Sequence, residues 1–410
     1  MDYITQNIAE RLGGPSFGKA TTVYKFARIK ALKDEAALKF KDSLPLIDMG
    51  VGEPDRPADP AVAEVLRREC SLPENRFYSD NGIAEFQDAA AEYMDKVFGV
   101  KGLTRKNIIH GIGTKPILAM LPLCFINPGD ISLVTVPGYP VLGTYTKYCG
   151  GEVYNLPINS QNNFYPDLDN IPADILSRAK LLYINYPNNP TGQVATPEFF
   201  AKVVDFAKKN NIIVIHDAAY AALTYYGERP LSFLSTPGAM DIGAEIQSLS
   251  KGFNMTGWRL GFLAGNEKIL AAYGNVKDNT DSGQFRAIQK AGVYALNHPE
   301  ITEAICEKYA RRMTLLADTL SSLGFKAKPA RGSFYCYVEA PRGLKDGHIF
   351  SSAQEAAEYM ILNANISVVP WDDSGAYLRF SVTYQAATPE DEISLMADVK
   401  SRIEKLGFVF

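Results

Sequence analysis

An α/β fold is predicted: a mostly parallel central sheet with helices on both faces, joined to a smaller α+β domain. Three observations predict it. Short apolar, β-branched runs recur through the middle of the chain, each ended by a turn. Amphipathic helical patterns separate these runs, the alternation expected of a sheet covered on both sides. From about residue 299 the order changes to a long helix followed by clustered strands.

In chain order, Asn107 to His110 reads as a strand entering the turn GIGTK. Lys115 to Ile126 reads as a buried helix. ISLVTV (131–136) is a strand ended by Pro137-Gly138, and KLLYINY (180–186) is a strand ended by PNNPTG. Thr196 caps the next helix, with Pro197 in its first turn. Its apolar residues Phe199, Phe200, Val203, Val204 and Ala207 share one face. IIVIH (212–216), EIQSL (245–249) and RLGFLAG (259–265) are three further strands. A helix over about 300–322 leads to the strand SFYCYVE (333–339). Helix 352–363, strand ISVVP (366–370), strand AYLRFSV (376–382) and a helix from Pro389 complete the pattern. The expected division is 49–298 for the large domain and 299–410 for the small one. Residues 1–48 are too few to fold alone and are expected to join the small domain.

Composition excludes several classes. The 410 residues are 46% hydrophobic and 21% charged, with a net charge of −4 and no Lys/Arg cluster, which points away from nucleic acid. No apolar run approaches the length of a spanning helix. Asp2 and Glu10 stand where a secretory leader has a basic and then an apolar region, so none is expected. Five widely spaced cysteines without CxxC, and four histidines without an HxxxH pair, predict no disulfide framework and no metal site. A reducing cytoplasm is the expected compartment.

In parallel sheets ligands bind at the carboxyl ends of the strands. Polar residues collect there: Gly113-Thr114-Lys115, Asn189, Asp217 and Lys251. Lys251, in SLSKGFNMTGWRLGF, reads either as a surface lysine or as an amine held among apolar groups. Burial disfavours the ammonium and makes such an amine a nucleophile able to form a Schiff base with an aldehyde. Asp217 reads as a helix cap or as the partner of a buried cation, such as a protonated pyridine nitrogen. The neighbouring His216 reads as packed or as a hydrogen-bonding support. A glycine turn opening a helix at GIGTK is an anion site. Ser248, Ser250 and Arg259 could complete a phosphate cup. Tyr139 of PGYP is core or stacks on a planar ring, and Asn189 is a turn former or a ligand. Tyr220 shares a helical turn with Asp217. Arg379 faces solvent or clamps a carboxylate.

Together, MGVGEP, FYSDNGIAEFQDA, GIGTK, PGYP, YPNNPTG, HDAAY, SLSKxxxxxGWRLG and YLRFS resemble the fold-type I, pyridoxal-phosphate-dependent aminotransferases of class I/II, over nearly the whole chain. The resemblance implies the cofactor pyridoxal 5'-phosphate, carried by Lys251. It implies Asp217 on the pyridine nitrogen, Asn189 and Tyr220 on the phenolic oxygen, and Tyr139 stacked on the ring. It implies a phosphate held by Thr114, Lys115, Ser248, Ser250 and Arg259, and by Tyr78 from a neighbouring subunit in a homodimer with shared sites. Arg379 would clamp the α-carboxylate, with Gly52 and Asn189 beside the substrate.

Within that group, TTVYKFARIK, NVKDNTDSGQFRAIQKAG and SVVPWDDSGAYLRFSVTY look most like the LL-diaminopimelate aminotransferases of lysine biosynthesis. That likeness puts Tyr24 and Lys115 at the substrate, with 2-oxoglutarate as the amino acceptor. Arg76, Lys115, Asn279, Asp281 and Gln284 are candidates for its far end. NTDSGQF departs from the FNGAS-type segment of the plant and chlamydial branch, so that branch's distal contacts do not transfer. Alternatives are an aspartate, alanine or aromatic aminotransferase, a β-lyase or synthase on the same fold, and a non-catalytic binding module.

Overall fold

The structure is a computed structural model and describes residues 2–19, 25–41 and 43–410. Tyr24 lies outside the described residues.

Seven strands form the central sheet among the described residues. Their spatial order is Ile108–Gly111, Gly261–Gly265, Gly243–Ser248, Ile213–Asp217, Ala179–Asn185, Ile131–Val136 and Glu152–Pro157. All neighbours pair in parallel except Gly261–Gly265, which runs antiparallel to both of its partners. Side chains alternate across the sheet, and both faces are covered. Leu182 and Ile184 pack with Phe200 and Val203 of helix Pro197–Asn210. Leu181 and Tyr183 pack with Ile117 and Leu118 of helix Thr114–Phe125. Fully burying one such side chain contributes about 1.5–3 kcal/mol.

Local signals explain the helix ends. Thr196 accepts from the Phe199 N–H, Pro197 occupies the first turn, and Asn211 closes the helix in the left-handed region at φ 55°.

Some boundaries differ from the pattern reading, each for a local reason. The strand expected at 245–249 runs from Gly243 to Ser248, because Ser248 caps a one-turn helix, Leu249–Gly252, that contains Lys251. The strand expected from 259 starts at Gly261, because Arg259 is left-handed at φ 56°. The run 366–370 is two strands: Ile366–Ser367 pairs with Ile47–Asp48, and Val369–Trp371 pairs with Tyr377–Ser381.

Tyr377–Ser381 is the centre of a three-stranded antiparallel sheet, flanked by Val369–Trp371 and Tyr335–Glu339. Helices Glu300–Ser322, Ala353–Ala364 and Pro389–Glu404 pack around a second core with Leu316, Leu378, Phe380 and Val399. Ile47 and Met49 belong to that core. Ile29 and Ala36 of helix Lys25–Phe40 bury against Ile361, Val369 and Trp371.

Candidate active site

Five central strands lead into one cavity of about 500 Å³. Its walls include Gly52, Thr114, Lys115, Tyr139, Asn189, Asp217, Tyr220, Ser248, Ser250, Lys251, Arg259 and Arg379, all singled out from sequence.

Lys251 sits on its one-turn helix with Nζ donating to the Gly52 carbonyl at 2.6 Å. The rings of Phe334 and Tyr220 lie 5.9 and 6.0 Å from Nζ. Burial lowers this amine to about 8, against a smaller opposing pull from Glu53 and with help from Arg259 and Arg379. A usable fraction is therefore neutral near physiological pH, as a nucleophile or base requires.

Asp217 ends its strand almost fully buried. Burial raises its carboxyl, while the Tyr183 hydroxyl, donating at 3.0 Å, and the Ala219 N–H, donating at 3.2 Å, act in the opposite sense. A cation facing it would hold it ionised. Sheet register explains the arrangement: Asn185 lies opposite Asp217 and Tyr183 opposite Ile215, so Tyr183 and Asp217 share a face.

At one end of the cavity donors converge. Thr114 opens the helix Thr114–Phe125, whose preceding residue Gly113 has φ 73°. A Cβ at Gly113 would overlap the Arg259 guanidinium. Arg259 is aimed there by its left-handed backbone and by Nη1 donating to the Thr256 carbonyl at 2.8 Å. The hydroxyls of Ser248 and Ser250 line the same wall. A helix N-terminus, three hydroxyls and a guanidinium form the donor set for a phosphate dianion.

Opposite, Arg379 comes from the small sheet. Nη1 donates to Asn189 Oδ1 at 2.8 Å and Nη2 to the Gly50 carbonyl at 2.9 Å. Among the described residues, its buried Nε has no hydrogen-bond partner. The guanidinium carbon lies 4.1 Å from the centroid of the Tyr335 ring, and the Tyr335 hydroxyl meets that of Tyr220 at 2.8 Å. A Cβ at Gly52 would stand 2.6 Å from the Tyr335 hydroxyl, so only glycine lets the loop approach so closely.

Other expected site residues lie elsewhere. Tyr78 is 79% exposed and lines a separate surface pocket with Glu74 and Arg286. Arg76 donates to the Pro73 carbonyl at 2.7 Å, and Asn279 to the Asn275 carbonyl at 2.9 Å. Asp281 pairs with Lys277 at 2.5 Å. Gln284 donates to the Trp258 and Arg259 carbonyls at 2.7 and 2.8 Å, so it braces Arg259 from behind. In their place the cavity wall carries Lys30, Lys33, Asp48 and Glu53. Lys33 pairs with Asp48 at 2.6 Å. Tyr183 and Tyr335 were not legible as site residues, although the two-residue alternation of the strand ending at Asn185 places Tyr183 on the Asp217 face.

A family model for aminotransferase class I and II matches residues 45–399. The chain belongs to that family. It is 52% identical to the LL-diaminopimelate aminotransferase of Methanocaldococcus jannaschii, covering 100% of this chain and 99% of that one. It is 51% identical to the Methanococcus maripaludis enzyme of the same name, again covering 100% and 99%. Among solved structures, substrate-bound BacF from Bacillus subtilis superposes with a TM-score of 0.85 at 32% identity, covering 95% of this chain and 97% of that one. Thermus thermophilus aspartate aminotransferase with maleate superposes with a TM-score of 0.81 at 26% identity, covering 96% and 99%. These likenesses agree with the fold-type I, α/β expectation.

Proposed function

We propose that this aminotransferase uses pyridoxal 5'-phosphate to move an amino group between LL-2,6-diaminopimelate and 2-oxoglutarate. The observation that carries the proposal is the Lys251 amine, lowered to about 8 inside a cavity that also holds Asp217 and Arg379. The residues fit the cofactor. The donor set around Arg259 suits its phosphate, and buried Asp217 suits a protonated ring nitrogen. The orphaned Arg379 Nε suits a carboxylate of the substrate. When bound, the cofactor supplies an aldehyde for amine exchange and an electron sink for the substrate's α-carbon.

The chain's own residues do the rest. Arg379 binds the α-carboxylate and fixes the substrate's orientation. Lys251 would carry the cofactor's aldehyde, and its neutral Nζ would serve as the base that accepts the substrate's α-proton and holds it for return. Asp217 would hold a proton on the ring nitrogen. Asn189, with Oδ1 committed to Arg379, offers Nδ2, and Tyr220 its hydroxyl, to the ring's phenolic oxygen. Tyr139, on the cavity wall, would hold the ring by stacking. Thr114, Lys115, Ser248, Ser250 and Arg259 hold the phosphate.

For the substrate's far end, the names of the relatives and the cavity wall agree. Lys30, Lys33, Asp48 and Glu53 supply both charge signs, matching a far end that carries an ammonium and a carboxylate. Lys115, on the same cavity wall, joins them, and Tyr24 is assigned to the substrate on the likeness to the relatives alone. The exposure of Tyr78 outside its own cavity supports a homodimer in which it completes the partner's phosphate site. Parallel pairing of Ile47–Asp48 with Ile366–Ser367 supports assigning residues 1–48 to the 299–410 unit, with 49–298 as the cofactor domain. Five unpaired cysteines fit a cytoplasmic location, and no helix among the described residues is long and apolar enough to cross a membrane.

The test is the absorbance of the purified protein with pyridoxal 5'-phosphate, before and after LL-diaminopimelate, with glutamate measured after 2-oxoglutarate is added. The expected result is a visible-edge band that bleaches with LL-diaminopimelate, and glutamate formed in step. Bleaching by aspartate or glutamate alone would overturn the substrate. Ammonia released without an acceptor would indicate a lyase.

A further inference from the structure

His216 and Asp217 are consecutive on one strand, so their side chains leave opposite faces of the sheet. Asp217 faces the cavity. His216 turns into the helix-covered face, fully buried, with the Phe200 and Phe233 rings at 5.1 and 6.4 Å. Its Nδ1 is 2.9 Å from Glu245 Oε2, and its Nε2 is 2.9 Å from the Tyr186 carbonyl oxygen.

Counting donors fixes the protons. A neutral imidazole has one N–H and one lone pair. The Tyr186 carbonyl only accepts, so Nε2 carries a proton. A neutral ring would then aim the Nδ1 lone pair at a carboxylate oxygen, with no proton between them. A second proton is required there. Glu245, also fully buried, accepts from Ser232 Oγ at 2.8 Å, the Phe233 N–H at 2.8 Å and Gln247 Nε2 at 2.7 Å. Three donors on one carboxylate favour its ionised form, which leaves the second proton on His216. His110 is the contrast. Its one partner is Gln284 Oε1 at 3.0 Å, its Nδ1 is unpartnered among the described residues, and burial lowers it to about 4.

We propose that His216 is a resident imidazolium, paired with Glu245, and that it is a positioning residue for Asp217 and Asn189. The charge acts on Asp217. Burial raises the Asp217 carboxyl, and the His216 charge is among the influences that oppose this rise. The N–H acts on the turn. Nε2 holds the Tyr186 carbonyl, three residues before Asn189, whose Oδ1 receives Arg379. One side chain thus ties the strand end that carries Asp217 to the turn that carries Asn189. The charged groups beside it are Glu245 on the neighbouring strand and Asp217 on its own. Helix Pro197–Asn210 and the turn Phe233–Ser235 face it with Phe200 and Phe233. The pair is neutral overall, which makes its burial tolerable.

The protonation arm stands without the cofactor, and the positioning arm rests on the function proposed above. The first experiment is NMR of the full chain with 15N-labelled histidine and no cofactor, at neutral pH. Loss of one signal set in H216Q assigns His216. Both ring nitrogens are expected to show protonated-type shifts. An unprotonated Nδ1 at neutral pH would overturn the proposal.

The second experiment is E245Q, which keeps the shape and removes the charge. His216 should become neutral, and the acid limb of the kcat profile should move up by about one pH unit, with KM for the amino donor within about twofold of native. A neutral His216 with an unmoved profile would sink the positioning role. Should E245Q not fold, S232A removes one donor to Glu245 and is expected to shift the limb in the same direction by a smaller amount. An imidazolium in a chain that transfers no amino group would leave the protonation standing and overturn the function instead.

Discussion

Arg379 of the small sheet donates at 2.8 Å to the side-chain oxygen of Asn189, which lies at the mouth of a central strand. The two residues are 190 positions apart in the chain, so this bond spans the two cores at one end of the cavity. It orients both groups before any ligand arrives. Pre-orientation of this kind lowers the cost of binding a carboxylate.

R379K tests it. Lysine keeps the charge but cannot hold Asn189 and Gly50 while meeting a carboxylate through two parallel N–H groups. KM for the amino donor is expected to rise about 30- to 100-fold, roughly 2–3 kcal/mol, with a smaller fall in kcat. Steady-state kinetics separate the two. An unchanged KM would remove Arg379 from the carboxylate site.

Lys251 gives a pH prediction with a definite sign. Its folded value of about 8 lies below the ordinary lysine value of 10.5. Between these limits the unfolded chain binds the extra proton, so stability rises with pH across that window. K251M has no such group. The stability of the cofactor-free native chain relative to K251M should therefore grow from pH 8 to 10.5, by on the order of 2 kcal/mol. Urea melts of both proteins across the window check this. A constant difference would mean that the amine titrates normally.

Gly113 is the tightest point of the proposed phosphate cup. Its φ of 73° is left-handed, and a Cβ would overlap the Arg259 guanidinium. G113A should cost about 1–2 kcal/mol in stability from backbone strain alone. It should also weaken pyridoxal 5'-phosphate binding about tenfold or more, because Arg259 must turn away. Fluorescence titration of the cofactor measures the second effect. Native affinity in G113A would show that Arg259 does not hold the phosphate.

Much of this site was legible in the sequence because strand ends are marked by local chemistry. Asn189, Asp217 and Lys251 each follow an apolar run, and Gly113-Thr114 opens a helix, so the topology alone brings them together. Arg259 was legible as a cavity residue, but its left-handed backbone and its brace by Gln284 were not. That contact joins positions 25 and 26 apart and depends on how two loops stack. Tyr335 was missed because its strand looks like ordinary core, and only the pairing of Tyr335 with Ser381 brings its hydroxyl to Tyr220. The far-wall residues Lys30 and Lys33 were missed because they lie on a helix with no turn or glycine to mark it. The split of 366–370 was invisible for a similar reason: one continuous β-branched run serves two different partners.

The loop that offers its Gly52 carbonyl to Lys251 is itself anchored three residues later. The Asp55 side chain is fully buried and accepts from Lys308 Nζ and the Tyr309 hydroxyl at 2.7 Å each, and from Arg312 at 3.1 Å. Arg312 also donates to Glu392 at 2.7 Å, so helices Glu300–Ser322 and Pro389–Glu404 share the network. Burial pushes the Asp55 carboxyl up, but its bonds to Lys308 and Tyr309 and the nearby Arg312 outweigh this and hold it below the ordinary range. A carboxyl lowered in the folded state stabilises the fold above its unfolded value, and that contribution is lost as pH falls through the folded one. D55N leaves Arg312 and Lys308 buried with less opposing charge, which should cost about 3–5 kcal/mol at pH 7. The gap between native and D55N should then narrow as pH falls below about 4, where the carboxyl of the unfolded chain begins to protonate while the folded one does not. Urea melts at a series of pH values measure the gap. A D55N protein as stable as native at pH 7 would mean that the network does not anchor the loop, and Gly52 would have to be held for Lys251 by the Arg379 side of the cavity instead.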